Sequence, residues 1–240
     1  SAVICANALK HGGSKTQKEQ WLPSIASDEA IIAFAYAEPQ GRYNLADLTT
    51  TAKKAGAGFT LSGQKAVVIG APFANYLLVT ARTAGGQRDA KGVTLLAVPK
   101  DAKGVSPRDW IVGEVDNGLP LVERITDEAI AAVSAEAVGG MKVLLDTTVE
   151  YSKTRKQFGA PIGKFQVLQH RMVDMFMNYE QSVSITYMVT LKLGEDAKER
   201  AKAASAAKVQ IGKAGRFIGQ QAVQIHGGMG MTDELNVGHY

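Results

Sequence analysis

Cysteine is nearly missing from this chain. Cys5 is the only one in 240 residues, so no internal disulfide can form, and a reducing, cytoplasmic setting is expected. Long apolar runs are missing as well. Ala30-Ile-Ile-Ala-Phe-Ala-Tyr-Ala37 falls far short of the ~20 residues that a membrane helix needs; it suits a buried strand, and no membrane span is expected. No charged segment leads into an apolar one at the start, so no secretory signal is expected there. Internal repeats, low-complexity stretches and a glycine fingerprint following a strand are all absent, and no metal site is expected. Nucleic-acid binding wants basic residues clustered with exposed aromatics. The densest basic stretch, Lys198-Glu-Arg-Ala-Lys202, carries an acid within it and reads as the wet face of a helix, so no nucleic-acid partner is expected. The net charge of +4 and pI near 9.0 favour anionic ligands only weakly.

What is present divides by period. Residues 1–29 read as helical pieces, broken at Gly12-Gly13 and ended by Leu22-Pro23 and Ser27-Asp28, and look like the remnant of a larger helical domain. Residues 30–112 carry short branched strands: Gly58–Gly63, Ala66–Ile69, Tyr76–Thr80 and Val93–Val98. Their close spacing, with no long helix between them, predicts a small antiparallel, barrel-like β domain. Residues 113–240 take a helical period. Stripes run through Leu121, Ile125, Ala129, Ala132, Val133 and Val138, then through Val167, Leu168, Met172, Met175 and Phe176, then through Ala204, Val209, Ile211, Ala214, Phe217, Ile218 and Val223. Three or four antiparallel helices imply a bundle, with a break at Gly194-Glu-Asp196. Met172, Met175 and Met177 line a ligand groove or, as methionines at helical spacing commonly do, fill a core. The predicted class is therefore α+β: a helical remnant, a small antiparallel β-barrel-like domain and a C-terminal four-helix bundle.

Two motif blocks carry the chemistry. The first is Arg155-Lys-Gln-Phe-Gly-Ala-Pro-Ile-Gly-Lys-Phe-Gln166, the second Gln224-Ile-His-Gly-Gly-Met-Gly230. The guanidinium of Arg155 either grips a pyrophosphate bidentately or caps a helix C-terminus. Gln157 adds an amide and Phe158 a flat apolar face. A lone glycine after a helix is a cap, whereas Gly227, Gly228 and Gly230 together suggest backbone approached closely by something else. His226 is either a titratable site group or a satisfied helix-end histidine.

These blocks resemble the acyl-CoA dehydrogenase family. So do Ala33-Phe-Ala-Tyr-Ala-Glu38-Pro39 and Gln64-Lys65-Ala-Val-Val-Ile-Gly70-Ala71, in the family's order over nearly the whole chain. The run from Gln224 to Tyr240 looks like the branch that includes small subunits of pimeloyl-type CoA dehydrogenases. The resemblance implies bound FAD, an acyl-CoA substrate dehydrogenated at its α,β bond, and electron-transfer flavoprotein or a similar acceptor. It also implies a homo- or hetero-oligomer, dimer or tetramer, because in the family some FAD contacts reach a neighbour's cofactor. By position, Arg155, Gln157 and Phe158 match the groups at the FAD pyrophosphate and adenine side, and Gln166 matches a further FAD contact. Gln224, Gly227 and Gly228 match the stretch on the adenosine part. Phe34, Tyr36 and Ala37 match the strand beside the isoalloxazine ring. Val67 and Ile69 stand where many members carry Trp and Thr.

Dehydrogenation needs a carboxylate to take the α-proton while the β-hydride leaves for flavin N5. Many members carry that glutamate in a Tyr-Glu-Gly-Thr segment beyond the Gly-Gly block, past Tyr240. Some place it on the first helix of the C-terminal domain, where Glu128 falls within about one residue of the matching position, with Glu123 and Asp127 nearby; Glu128 is thus the candidate base, or else a helix-surface acid. Most of the family's N-terminal helical domain is expected to be missing from this sequence, and the stretch Asp109–Gly118 looks shorter than the family's linker. Two other readings stay open: a non-catalytic partner subunit of a heteromeric dehydrogenase, and an acyl-CoA oxidase-like flavoenzyme.

Overall fold

The computed structural model describes residues 2–56, 58–102, 105–107 and 111–240, which fall into two compact units, Ser1–Thr126 and Asp127–Tyr240. Of the linker stretch 109–118, Asp109 and Trp110 lie outside the described residues.

The first unit opens with helices α1 (Ala2–Gly12) and α2 (Lys15–Ala26), parted at Gly12-Gly13 as expected. A capping box starts α2. The Ser14 hydroxyl accepts from the Gln17 amide at 3.2 Å, and the Gln17 side chain accepts from the Ser14 amide at 2.8 Å. Pro23 does not end this helix, which runs on to Ala26 with the Ser27 amide still donating to the Pro23 carbonyl. A proline forfeits one backbone bond, and so near the last turn the helix survives the loss.

Strands β1 (Ile32–Ala35), β2 (Thr51–Ala55), β3 (Gly58–Ser62), β4 (Tyr76–Arg82), β5 (Val93–Pro99), β6 (Val105–Pro107) and β7 (Ile111–Val112) form one seven-stranded sheet. Its order is β6-β3-β2-β4-β5-β7, with β1 also on β4. The antiparallel, barrel-like expectation is corrected in two ways. β1 runs parallel to β4, from Ile32 opposite Tyr76 to Ala35 opposite Val79, and β2 meets β4 in parallel at Thr51 and Arg82. The sheet is therefore mixed. β6 and β7 end the order without pairing each other, so the described strands close no barrel. Apolar alternation reveals which face of a strand is buried but not the direction of its neighbour. The long connection from β1 to β4 supplies the crossover that a parallel pair requires.

β5 is buried on both faces, which explains its unbroken apolar run. Leu95 packs with Cys5, Leu9, Phe34, Leu78 and Ile125, whereas the next residue, Leu96, packs with Ala52, Phe59 and Ala81. Each such fully buried leucine contributes about 1.5–3 kcal/mol. The expected strand at Ala66–Ile69 is instead an irregular loop. Val67 sits at φ 51° with its side chain 83% exposed, a backbone conformation no strand can use.

The second unit holds most of α3 (Leu119–Thr154) together with α4 (Gln166–Lys192) and α5 (Ala197–His226). A two-stranded hairpin, β8 (Lys156–Gln157) with β9 (Ala160–Pro161), and short 3-10 turns complete it. The break between α4 and α5 falls where the sequence set it. Asp196 caps α5, its carboxylate accepting from the amides of Lys198 and Glu199 at 2.9 and 3.1 Å. Three long helices stand here among the described residues, the lower of the two numbers expected. The buried stripe on α5 is Ala203, Ala204, Ala207, Ile211, Ala214, Ile218, Ala222 and Ile225. Ile211, Ala214, Ile218, Ala222 and Ile225 pack with Met141, Leu144, Leu145 and Met175. The alanines let neighbouring helices approach closely. Met175 is core, whereas Met177 is about half exposed, so the methionines do not act as one set.

Candidate functional site

In the first unit the predicted residues gather where β1 ends. Phe34 is buried within the strand, and its ring stacks on the more exposed Tyr36 with centroids 5.0 Å apart. The Ala37 carbonyl accepts from the Ala66 amide at 2.9 Å, which brings the start of the Val67–Ile69 loop beside Tyr36 and Ala37. Val67 and Ile69 both lie exposed on that loop. Phe34, Tyr36, Ala37, Val67 and Ile69 are thus held in one neighbourhood, with apolar side chains left open to a ligand.

Sequence reasoning assigned no role to the charged groups beneath this edge. Glu38 is 5% exposed and accepts from the Lys65 ammonium at 2.7 Å, and the same ammonium donates to the Thr80 hydroxyl at 3.0 Å. Burial pushes the Glu38 carboxyl up, but Lys65, Thr49 and Gln40 bond to its ionised form and hold it well below the usual carboxylate range. Burial lowers the Lys65 ammonium from its ordinary value, against the pull of Glu38. The only sequence signals were a Glu-Pro pair and a lysine two residues after Gly63.

In the second unit both motif blocks come to one end of the helices. Tyr151 on the last turns of α3 stacks on His226 at the end of α5, their centroids 4.2 Å apart. The His226 ring is buried, and its Nδ1 lies 2.8 Å from the Ala222 carbonyl, so Nδ1 carries the donating hydrogen. Its own backbone carbonyl accepts weakly from the Tyr151 hydroxyl at 3.5 Å. Its Nε2 is buried with no hydrogen-bond partner among the described residues, so the ring is tied at the helix end through one nitrogen only.

Arg155 follows α3 directly. Its backbone is tied at both sides, the amide to the Tyr151 carbonyl at 2.9 Å and the carbonyl to the Ile162 amide at 2.8 Å. Its side chain is exposed, and among the described residues no acceptor is recorded for the guanidinium. Gln157 and Phe158 lie on the β8–β9 hairpin, with Phe158 and Gly159 at its tip at φ 53° and 79°. Two positive φ values in a row make the tight hairpin turn. A phenylalanine there is strained by about 1–2 kcal/mol; it is 92% exposed, and its ring meets Phe165 edge-on with centroids 6.1 Å apart. Such strain points to a use elsewhere. Gln166 opens α4, exposed, directly after this hairpin and a 3-10 turn.

Gln224, Gly227 and Gly228 complete the group. A groove of about 500 Å³ runs along Gly219, Gln220, Val223, Gln224, Gly227 and Met231. A Cβ added at Gly227 or Gly228 would meet no atom within 4 Å, so the backbone here is bare and open to close approach. Bare backbone, an exposed guanidinium and the start of a 27-residue helix suit a dinucleotide: the cation and helix start favour phosphates, and the open glycines suit a flat adenosine. The residues present therefore fit an FAD-sized group.

Glu128 stands apart, half-buried on α3. Its neighbour Asp127 pairs with Arg200 of α5, Nε to Oδ2 at 3.0 Å, both side chains nearly buried. Burial raises the Asp127 carboxyl above its ordinary value, against the Arg200 guanidinium. Glu123, the other acid considered, is exposed.

Two family models match the chain: "Acyl-CoA dehydrogenase, middle domain" over residues 33–119 and "Acyl-CoA dehydrogenase, C-terminal domain" over residues 116–240. The human mitochondrial short-chain specific acyl-CoA dehydrogenase is 29% identical over 248 residues, covering 93% of this chain. The chain spans 60% of that relative's length. Among solved structures, an FAD complex of PigA superposes with a TM-score of 0.91 at 26% identity, covering 98% of this chain and 67% of that one. Butyryl-CoA dehydrogenase from Megasphaera elsdenii superposes at 0.90 with 25% identity, covering 98% of this chain and 68% of that one.

Proposed function

The chain belongs to the acyl-CoA dehydrogenase family, and from that premise we propose that it binds FAD and takes part in α,β-dehydrogenation of an acyl-CoA thioester. The observation that carries the proposal is the Tyr151–His226 ring contact, which joins the turn just before Arg155 to the second motif block and so sets Arg155 and the bare Gly227-Gly228 backbone at the same end of the helical unit. Arg155, Gln157, Phe158 and Gln166 would hold the pyrophosphate and adenine side, and Gln224, Gly227 and Gly228 the adenosine. Phe34, Tyr36, Ala37, Val67 and Ile69 would border the ring. Bound FAD would supply the hydride acceptor. Glu128 is the proposed base: its carboxylate removes the α-proton and keeps it while the β-hydride leaves the substrate, so that acyl-CoA is oxidised to enoyl-CoA. With FAD bound, the apolar side chains at the ring edge would help keep water from that transfer.

The middle- and C-terminal-domain matches support a β domain over 30–112 and a helical domain over 113–240, with 1–29 as a helical remnant. We take α3, α4 and α5 as three members of a four-helix bundle. Phe158, strained and exposed at its hairpin tip, supports assembly: a homo- or hetero-oligomer, dimer or tetramer, would bring it to a neighbour's FAD. Electron-transfer flavoprotein or a similar protein is the proposed acceptor. No helix among the described residues is long and apolar enough to cross a membrane, and the single cysteine supports a reducing compartment, proposed as the cytoplasm.

The test is optical. Purified protein supplied with FAD should show the flavin band and bleach anaerobically on addition of acyl-CoA. Glu128→Gln should keep the band and slow bleaching by roughly 10²- to 10⁴-fold. Unchanged bleaching would remove Glu128 from the mechanism. A colourless protein that captures a second, different chain would favour the partner-subunit reading, and rapid peroxide release after bleaching would favour an oxidase.

A further inference from the structure

Glu38 and Lys65 lie outside the contacts named above, yet they form the most completely bonded buried polar group in the first unit. The Glu38 side chain is 0% exposed and that of Lys65 9%. The carboxylate accepts from the Lys65 ammonium at 2.7 Å, the Thr49 amide at 2.7 Å, the Thr49 hydroxyl at 2.5 Å, the Gln40 amide nitrogen at 2.8 Å and the Thr50 amide at 3.1 Å. The ammonium has three hydrogens and three acceptors: Glu38, the Thr80 hydroxyl at 3.0 Å and, more weakly, the Tyr36 carbonyl at 3.5 Å. Thr80, buried on β4, also reaches the Tyr36 carbonyl at 3.4 Å. Four chain segments meet here: 36–40, 49–50, the 64–66 start of the exposed loop and β4 at Thr80.

A buried ion pair is seldom worth more than apolar residues of the same size, and its best-attested use is to specify one arrangement. A network with every member satisfied does this most strictly. What this one specifies is visible in its surroundings. The Val67–Ile69 loop has no strand ladder, and its two large side chains point away from the core. It is fastened to β1's exit by the Lys65 ammonium and by the adjacent Ala66 amide on the Ala37 carbonyl. Both ties end on the backbone of residues 36 and 37.

Resting on the flavin reading above, we propose that Lys65, held by Glu38 and Thr80, is a positioning residue that sets the register between the Tyr36–Ala37 backbone and the Val67–Ile69 loop, and so the shape of the ring-binding edge. Because the pair is neutral overall, it can fix that edge without placing a net charge beneath the ring.

The test compares the full chain with Lys65→Met, Thr80→Val and, as a control, Lys53→Met, which alters an exposed lysine of β2 in the same unit. Thr80→Val keeps the ion pair and the side-chain shape, so it carries the test if Lys65→Met does not fold. First, amide hydrogen exchange is read on flavin-free protein. Exchange at Ala66 and through 67–70 should rise at least tenfold in Lys65→Met and Thr80→Val and stay at the wild-type rate in the control; unchanged exchange in folded Thr80→Val overturns the proposal. Second, FAD is titrated. The Kd should rise roughly tenfold in each variant, the scale of one charge-assisted hydrogen bond, with a shifted flavin band. Faster exchange together with a wild-type Kd and spectrum would overturn the link to the ring edge. Faster exchange in a protein that takes no FAD even as wild type would uphold the pin and fail the flavin reading instead.

Discussion

Gly228 offers a clean separation of cofactor binding from folding. Its neighbour Gly227 sits at φ 61°, where any side chain is strained. No left-handed φ is recorded for Gly228, and an added Cβ meets nothing within 4 Å. Gly228→Ala therefore costs the fold nothing, and the loss of chain entropy in the unfolded state stabilises it by about 0.4–1 kcal/mol. Gly228→Val adds stiffness but still points into open space, so its effect on stability stays within about 0.5 kcal/mol. If FAD lies against this backbone, the new methyl groups occupy its contact layer. Forcing extra methyls into a packed contact costs about 1–3 kcal/mol, which at 1.4 kcal/mol per tenfold weakens binding by roughly tenfold to a hundredfold. The assay pairs an FAD titration, read by flavin fluorescence, with a thermal melt of the flavin-free chain. Valine should weaken FAD more than alanine, with both melts at or above wild type. Wild-type affinity in a folded Gly228→Val would refute the adenosine assignment of Gln224, Gly227 and Gly228.

Other outcomes follow from buried charge. Arg200→Met leaves Asp127 buried and unpaired and should destabilise the protein by about 3–5 kcal/mol in a denaturant titration, with most of the loss recovered in the Asp127→Asn, Arg200→Met double variant. Glu38 has its carboxyl held below the ordinary value of 4.5, so the stability from its ionisation is complete above that pH and drains away as pH falls below it. Wild type should accordingly lose stability more steeply than Glu38→Gln on acidification below that point, and parallel acid titrations would contradict the ionised pair. The buried Cys5 thiol is pushed up to about 12 by desolvation, so the native protein should resist thiol reagents at pH 8 and react only once denatured.

Much of the local structure was legible in the sequence because its causes lie close together along the chain. The helix breaks at Gly12-Gly13 and at Gly194–Asp196 are each followed by a side-chain cap, Ser14 opening α2 and Asp196 opening α5, acting within a few residues. β4 and β5 announced themselves by branched apolar runs. The Ala66–Ile69 run carried the same signal and failed, because a strand also needs a partner and Val67 takes a positive φ that forbids one. On α3 the predicted stripe drifted out of phase: Ala132 and Val133 face solvent, whereas Ala131 and Ser134 are buried. Small apolar residues recur so densely there that a period alone cannot choose the face.

The sequence by itself determined the family, the two motif blocks and the residue types able to hold a dinucleotide, since these depend on identity and order along the chain. Tertiary structure alone decided that β1 runs parallel to β4, that Tyr151 meets His226, and that Lys65 and Glu38 pair in a buried position beside the exit of β1. Each of these joins residues tens of positions apart. Such a contact is selected by the mutual packing of whole elements, which no local propensity, cap or period records.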